Sequence, residues 1–276
     1  MNELKLKDAL TQFFLEDIGE RDVTTETIFP VNEKGKAVIV AKQNGIFCGE
    51  QVIRTGFQLH SQEMFINLLK KDGDTVEKGE VIAAIEGPIR AILQGERVVL
   101  NLIQRMSGIA TITHKAVATL DDEHTRICDT RKTTPGLRMM EKYAVRCGGG
   151  YNHRFGLYDG VMIKDNHIAF CGSLMKAVQR VREQIGHMVK IEVEIETEDQ
   201  LHEAIRAGVD IIMFDNRSPE EVKQYVKMTP SHIVTEASGG IGFHNLAQFR
   251  GTQVDYLSLG LLTHSVTSLD ISLNVN

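Results

Sequence analysis

The second half of the chain alternates short apolar runs with amphipathic stretches, and this rhythm restricts its fold more than any other feature. Apolar runs at Thr125–Cys128, Val161–Ile163, Val189–Val193, Asp210–Phe214, His232–Val234 and Asp255–Leu257 are separated by helical patterns such as Leu174–Ile185, Thr197–Ala207 and Pro219–Met228. Strands that alternate with helices pair in parallel, because each crossover returns the chain to the same end of the sheet. The six runs fall short of the eight strands of a regular barrel. The pattern predicts a distorted or incomplete α/β barrel, with an open doubly wound sheet as the alternative.

The first half is less regular. From Leu4 to Ile18, apolar residues recur at helical spacing, with Leu4, Leu6, Ala9, Leu10, Phe13 and Phe14 on one face. Lys36–Ala41 and Met64–Leu69 read as strands, punctuated by turns at Gly73, Gly79 and Gly87. The segment DGDTVEKGEVIAAIEG is similar to half of a lipoyl or biotinyl barrel. No MKM or DKA follows to present a modifiable lysine, so a structural hairpin is expected. A long helix is predicted over Ile89–Leu120, packing through Val98, Leu102, Ile109 and Ile112.

Composition excludes several classes. The net charge of −6 and pI near 5.9 argue against a non-specific nucleic-acid binder, which would be basic. Any anionic ligand must be drawn by local clusters rather than by the overall field. The four cysteines lack zinc spacing and read as free thiols in a reducing cytosol. The first ten residues, MNELKLKDAL, hold no signal-peptide core, and no apolar run reaches spanning length. A cytoplasmic protein without a membrane span is expected.

Functional side chains of α/β barrels gather where strands end, and each run here terminates in polar residues. Asp129-Thr130-Arg131-Lys132 follows the first and Lys164-Asp165-Asn166 the second. Glu192 and Glu194 lie in the third, Asp215-Asn216 closes the fourth, Glu236-Ala237-Ser238-Gly239-Gly240 the fifth and Ser258-Leu259-Gly260 the last. Any one could be a helix cap; six on one rim point to a site. Upstream of Lys164, the glycine-rich stretch CGGGYNHRFGLYDG carries His153 and Arg154. Arg131, Lys132, His153, Arg154 and Lys164 form the candidate basic set, with Arg138 and Lys142 as outlying members. Several arginines in one pocket fit a substrate with more than one carboxylate. Ser238, Gly239, Gly240 and Gly260 suit phosphate, because glycine lets backbone amides approach closely; His264 is a further candidate. Glu194 and Asp215, on neighbouring strands, are candidate Mg²⁺ ligands, with an acid–base pair or salt bridges as the competing explanations. Glu192 is expected to face away from Glu194, in a structural or helix-facing ion pair.

The strings ERVVLNLIQRMSGIAT, DTRKTTPGLR, GGGYNHRFGLYDGVMIKDNH, EVE, FDN, EASGGI and SLG, in that order, closely resemble the quinolinate phosphoribosyltransferase family. The resemblance covers nearly the whole chain, including DVTT and GIFCG near the amino end. It implies a mixed α/β amino-terminal domain over 1–108, joined by a carboxyl-terminal tail at 266–276, and a barrel domain over 109–265. It implies synthesis of nicotinate mononucleotide from quinolinate and phosphoribosyl pyrophosphate, with release of pyrophosphate and CO2. Arg131, His153, Arg154 and Lys164 would then bind quinolinate, and Lys132 would sit between the two substrates. Glu194 and Asp215 would contact the ribose and the hydration shell of Mg²⁺. Ser238, Gly239, Gly240, Gly260 and His264 would hold phosphate. Arg97 matches an arginine that reaches the neighbouring subunit's site, which implies a homodimer with shared active sites; dimer versus hexamer stays open. The alternatives are a molybdenum-associated relative with another substrate, or a non-catalytic protein that binds phosphorylated metabolites.

Overall fold

The computed structural model describes residues 1–275. From the amino end the chain builds α1 (Glu3–Ile18), α2 (Val23–Ile28), β1 (Lys34–Ala41), β2 (Gly45–Ile46), α3 (Glu50–His60), β3 (Phe65–Leu68), β4 (Thr75–Val76), β5 (Val81–Pro88) and α4 (Ile89–Leu120). There follow β6 (Arg126–Cys128), α5 (Arg138–Cys147), β7 (Val161–Ile163), α6 (Asp165–Cys171), α7 (Leu174–Arg182), β8 (Ile191–Ile195) and α8 (Glu198–Ala207). The chain closes with β9 (Ile211–Asp215), α9 (Pro219–Met228), β10 (Val234–Ser238), β11 (Tyr256–Ser258), α10 (Leu261–His264) and β12 (Ile271–Val275). Two compact units result. One holds Met1–His114, Thr134–Gly149 and the residues from Ser265 onward; the other holds Lys115–Thr133 and Gly150–His264.

In the first unit an antiparallel sheet runs in the order β12-β1-β5-β3. Leu6, Leu10 and Phe14 of α1 are buried, four residues apart on one face, whereas Leu4 is left 80% exposed. On α4, Val98, Leu102 and Ile109 are buried as their spacing required. Mid-helix glycine ordinarily costs about 1 kcal/mol, but at Gly108 a side chain would collide with the Thr267 carbonyl. Close backbone approach therefore decides that position. Arg105 Nε donates to Glu141 Oε1 at 2.8 Å and Arg105 Nη2 to Thr134 at 2.9 Å, so α5 packs within this unit despite its place in the 109–265 stretch. The expected 72–87 hairpin does not form: β4 pairs with β2, while β5 pairs with β1 and β3.

The second unit carries the six strands of the alternating pattern in one parallel sheet, ordered β6-β11-β10-β9-β8-β7. The sheet is an incomplete α/β barrel, with β6 and β7 at its ends and Tyr151 bridging to Cys128 beside β6. Polar side chains define where its helices begin. Ser173, Thr197 and Ser218 accept backbone N–H bonds at the first turns of α7, α8 and α9, and Pro219 takes the opening position of α9. The parallel strands thus bring their carboxyl ends to the same rim.

Candidate active site

The rim encloses a cleft of about 980 Å³. Arg131 and Lys132 enter it from the loop after β6, Lys164 from the end of β7, Glu194 from β8 and Asp215 from β9. His153 and Arg154 reach it from the loop before β7. Ser238 with Gly239 and Gly240, and Gly260 with His264, line it after β10 and β11. The structure brings these sequence candidates together. Arg97 is exposed on α4 and does not line this cleft; Arg138 and the fully buried Lys142 belong to the first unit.

Local devices aim the cations. Lys164 sits where β7 gives way to α6, and its backbone N–H donates to His167 Nδ1 at 2.9 Å, which explains the histidine three residues on. The Lys164 ammonium pairs with the Glu194 carboxylate. Arg154 Nη1 donates to the Gly160 carbonyl at 2.8 Å. Asp159 ties the intervening turn by accepting the N–H groups of Phe155 and Gly156 at 2.6 and 2.9 Å. Burial first, and then the neighbouring Arg131 charge, hold the Arg154 pKa below the usual arginine value. This guanidinium is therefore under strong demand for an anion.

The phosphate-type loops interlock with the acidic ones. Asn216, at φ +52°, donates its backbone N–H to the Ser238 carbonyl at 2.8 Å and its side chain to Asp215 Oδ2 at 2.7 Å. Gly239, at φ +87°, lies against Asn216 so closely that any Cβ would strike the Asn216 side chain. Glycine is required there on both counts. Near Gly260 a Cβ would come within 3.0 Å of Lys132 Cδ and His264 Cδ2, so this glycine makes room for two candidates. Glu194 and Asp215 offer hard oxygen donors at adjacent strand ends. That donor set fits a Mg²⁺ ion that retains most of its waters.

Below the rim, residues singled out in the sequence as polar strand ends form a second, buried cluster. Residues two apart on a strand share a face, so Glu192 points inward with Glu194 rather than away from it. It is 4% exposed, and its Oε2 lies 3.0 Å from His153 Nε2. Glu236 Oε1 lies 3.6 Å from the same nitrogen and takes a hydrogen bond from Ser258 Oγ. Asp129, fully buried, accepts the His153 backbone N–H at 2.9 Å and Asn152 Nδ2 at 2.6 Å. His153 Nδ1 accepts the Arg154 N–H at 2.8 Å. Burial, and then the Glu192 charge, push the Glu236 carboxyl up to about 8. The signal for Glu236 and Ser258 was available: each lies two residues before a rim residue, Ser238 and Gly260, on the same strand face.

Cations facing carboxylates across one cleft, at the carboxyl ends of parallel strands, define an α/β-barrel enzyme that handles polyanions. Its relatives narrow the class. Residues 22–107 match the family description "Quinolinate phosphoribosyl transferase, N-terminal domain" and residues 109–274 match "Quinolinate phosphoribosyl transferase, C-terminal domain". The chain belongs to the quinolinate phosphoribosyltransferase family. It is 62% identical, over 100% of its length and 95% of the relative's, to a probable nicotinate-nucleotide pyrophosphorylase [carboxylating] of Bacillus subtilis (strain 168). A quinolinate phosphoribosyltransferase [decarboxylating] of Nicotiana tabacum is 38% identical over 98% of this chain and 82% of its own. Among solved structures, NadC from Streptococcus pyogenes superposes with a TM-score of 0.95 at 41% identity, covering 100% of this chain and 99% of that one. The nicotinate-nucleotide pyrophosphorylase from Francisella tularensis gives 0.94 at 34% identity, covering 100% and 98%.

The Glu236 carboxyl has a signed consequence for stability. Folding lifts its pKa from 4.5 to about 8, so the native protein holds a proton that the unfolded chain releases. Its contribution to stability is greatest below pH 4.5 and is lost as pH rises towards 8. Glu236→Gln removes this proton uptake. Urea denaturation between about pH 5 and 8 should show a shallower decline in the variant than in the wild type; parallel curves would refute a protonated carboxyl.

Proposed function

We infer that the chain converts quinolinate and phosphoribosyl pyrophosphate to nicotinate mononucleotide, pyrophosphate and CO2, a step of de novo NAD biosynthesis. Family membership over both domains carries this conclusion, and the chemistry of the cleft is suited to it. Arg131 and Arg154, with Lys164, form a clamp for the two carboxylates of the pyridine diacid. Lys164 must then divide its charge between the substrate and Glu194, its present partner. His153 belongs to the same wall, its ring nitrogens turned to protein atoms. Lys132 stands between the diacid and the sugar donor. The backbone of Ser238, Gly239, Gly240 and Gly260, with His264, receives phosphate.

Two steps follow. The pyridine nitrogen attacks the anomeric carbon, and the electron pair of the broken C–O bond leaves with pyrophosphate. Glu194 and Asp215 stabilise the positive charge that develops on the ribose. The alkylated, cationic ring then retains the electron pair of the adjacent C–CO2 bond; CO2 leaves and the ring carbon takes up a proton. The residues act mainly by holding two polyanions in register against their mutual repulsion. Glu194 and Asp215 would hold Mg²⁺ through its waters, and the ion would supply charge neutralisation for pyrophosphate. A homodimer is proposed, in which exposed Arg97 serves the partner's cleft. The four free thiols support a cytoplasmic setting.

The test follows CO2 and pyrophosphate release with quinolinate as substrate; release of neither would defeat the functional reading. Arg131→Ala and Arg154→Ala should each weaken quinolinate binding by about 1.5–3 kcal/mol through lost charge-assisted hydrogen bonds. Calorimetric titration showing unchanged affinity in both would dissolve the clamp. Treatment with EDTA should abolish turnover and added Mg²⁺ restore it, whereas undiminished activity in chelator would remove the metal from the scheme. Arg97→Ala and Lys164→Ala chains, each inactive alone, should regain activity when mixed as heterodimers. Verified heterodimers without activity would place Arg97 in its own chain's chemistry.

A further inference from the structure

Both ring nitrogens of His153 are engaged by protein atoms. Nδ1 accepts the Arg154 backbone N–H at 2.8 Å, so the ring proton sits on Nε2, which faces Glu192 at 3.0 Å and Glu236 at 3.6 Å. A histidine with two nearby glutamates has the residue types of a metal site. Here the hydrogen-bond pattern instead fixes the tautomer with a proton directed at the acids. The imidazole is thus a strut between the buried carboxylates and the backbone of Arg154.

The burial of these acids has no evident benefit to stability. Glu192 and Glu236 are 4% and 5% exposed and Asp129 is 0%, and removing carboxylates from water is costly even when they are paired. Their contacts converge on one short segment: Asp129 holds Asn152 and the His153 backbone, and the two glutamates face the His153 ring. Glu192 also faces the Arg154 charge, while its Oε1 has no hydrogen-bond partner. Such networks rigidify a site when they are satisfied and are otherwise a liability.

We propose that Glu192 and Glu236 are positioning residues: acting through His153, they hold segment 152–154 so that the Arg154 guanidinium meets the quinolinate carboxylates, without themselves touching substrate. The proposal rests on the functional reading above and deepens it. Glu236 holds its proton at neutral pH, consistent with a carboxyl pushed up to about 8. It accepts a hydrogen bond from Ser258 Oγ and packs as a neutral group 3.6 Å from His153 Nε2, filling the floor on which the imidazole rests.

The experiment measures kcat and the KM for each substrate in wild type, Glu192→Gln, Glu236→Ala and Glu236→Gln, with circular dichroism to verify folding. In Glu192→Gln and Glu236→Ala, KM for quinolinate should rise about tenfold or more, while kcat and the phosphoribosyl pyrophosphate KM stay within about threefold. Glu236→Gln should restore most of what Glu236→Ala loses, because a neutral amide can replace a protonated carboxyl. If Glu236→Ala does not fold, Glu192→Gln and quinolinate titration of Glu236→Gln decide the question. An unchanged quinolinate KM in Glu192→Gln, or an equal loss in all three constants, would overturn the proposal. An inactive wild type in the same assay would instead overturn the functional reading.

Discussion

Like charges must be crowded together, and held there, before this cleft can do anything. Arg131, Lys132, Arg154 and Lys164 converge in one cavity of a chain whose overall charge is −6. No global field keeps them in place, and two of them, Lys164 and Arg154, lean on acids nearby. Glu194 takes Lys164, Asp159 secures the turn that carries Arg154, and Glu192 faces Arg154 from the buried side. The compensation is incomplete by construction. Arg154 remains below its usual pKa because burial and Arg131 outweigh the acids around it. In the proposed reaction a dicarboxylate would supply the missing compensation, which would couple the electrostatics of this wall to ligand recognition.

The barrel makes the arrangement possible through two periodicities. Alternation along a strand sets Glu192 and Glu194 on one face of β8, and Glu236 and Ser238 on one face of β10. Strand stagger brings Glu192 and Glu236 to a common depth at His153, although the hydrogen-bonded ladder sets Met213 opposite both Glu194 and Glu236. One layer faces the cleft and the next lies beneath it. Polar groups at both levels are unusual for a barrel interior, which is commonly filled with branched apolar side chains. Their presence accords with the positioning role proposed for Glu192 and Glu236.

The strand–helix alternation and the polar strand ends were legible because each is local: a run of apolar residues, then a rim residue. Pro219–Met228 and Ile89–Leu120 appear in the structure with the bounds their periodicity gave. What escaped depended on tertiary placement. Glu192 shares the inward face of β8 with Glu194, because side chains along a strand repeat every two residues. The 72–87 segment has the turn residues of a hairpin, yet its strands find better partners far away in sequence. Nothing local in 134–149 signals that α5 joins the first unit, because Arg105–Glu141 and Tyr143–Asp72 contacts bridge 36 and 71 residues. Arg97 is conspicuous only by resemblance, since one chain cannot display a contact with another.

The position of β12 has a consequence for synthesis. It completes the edge of the first unit's sheet beside β1, more than two hundred residues earlier in the sequence, and Leu269 adds a bond to Gln104 within the same unit. A ribosome therefore releases the barrel strands before it releases the piece that finishes the unit begun first. Until then the outer edge of β1 lacks its native neighbour, and an unpaired strand edge invites mispairing. The sheet of the first unit can therefore be completed only after the strands of the second have been made.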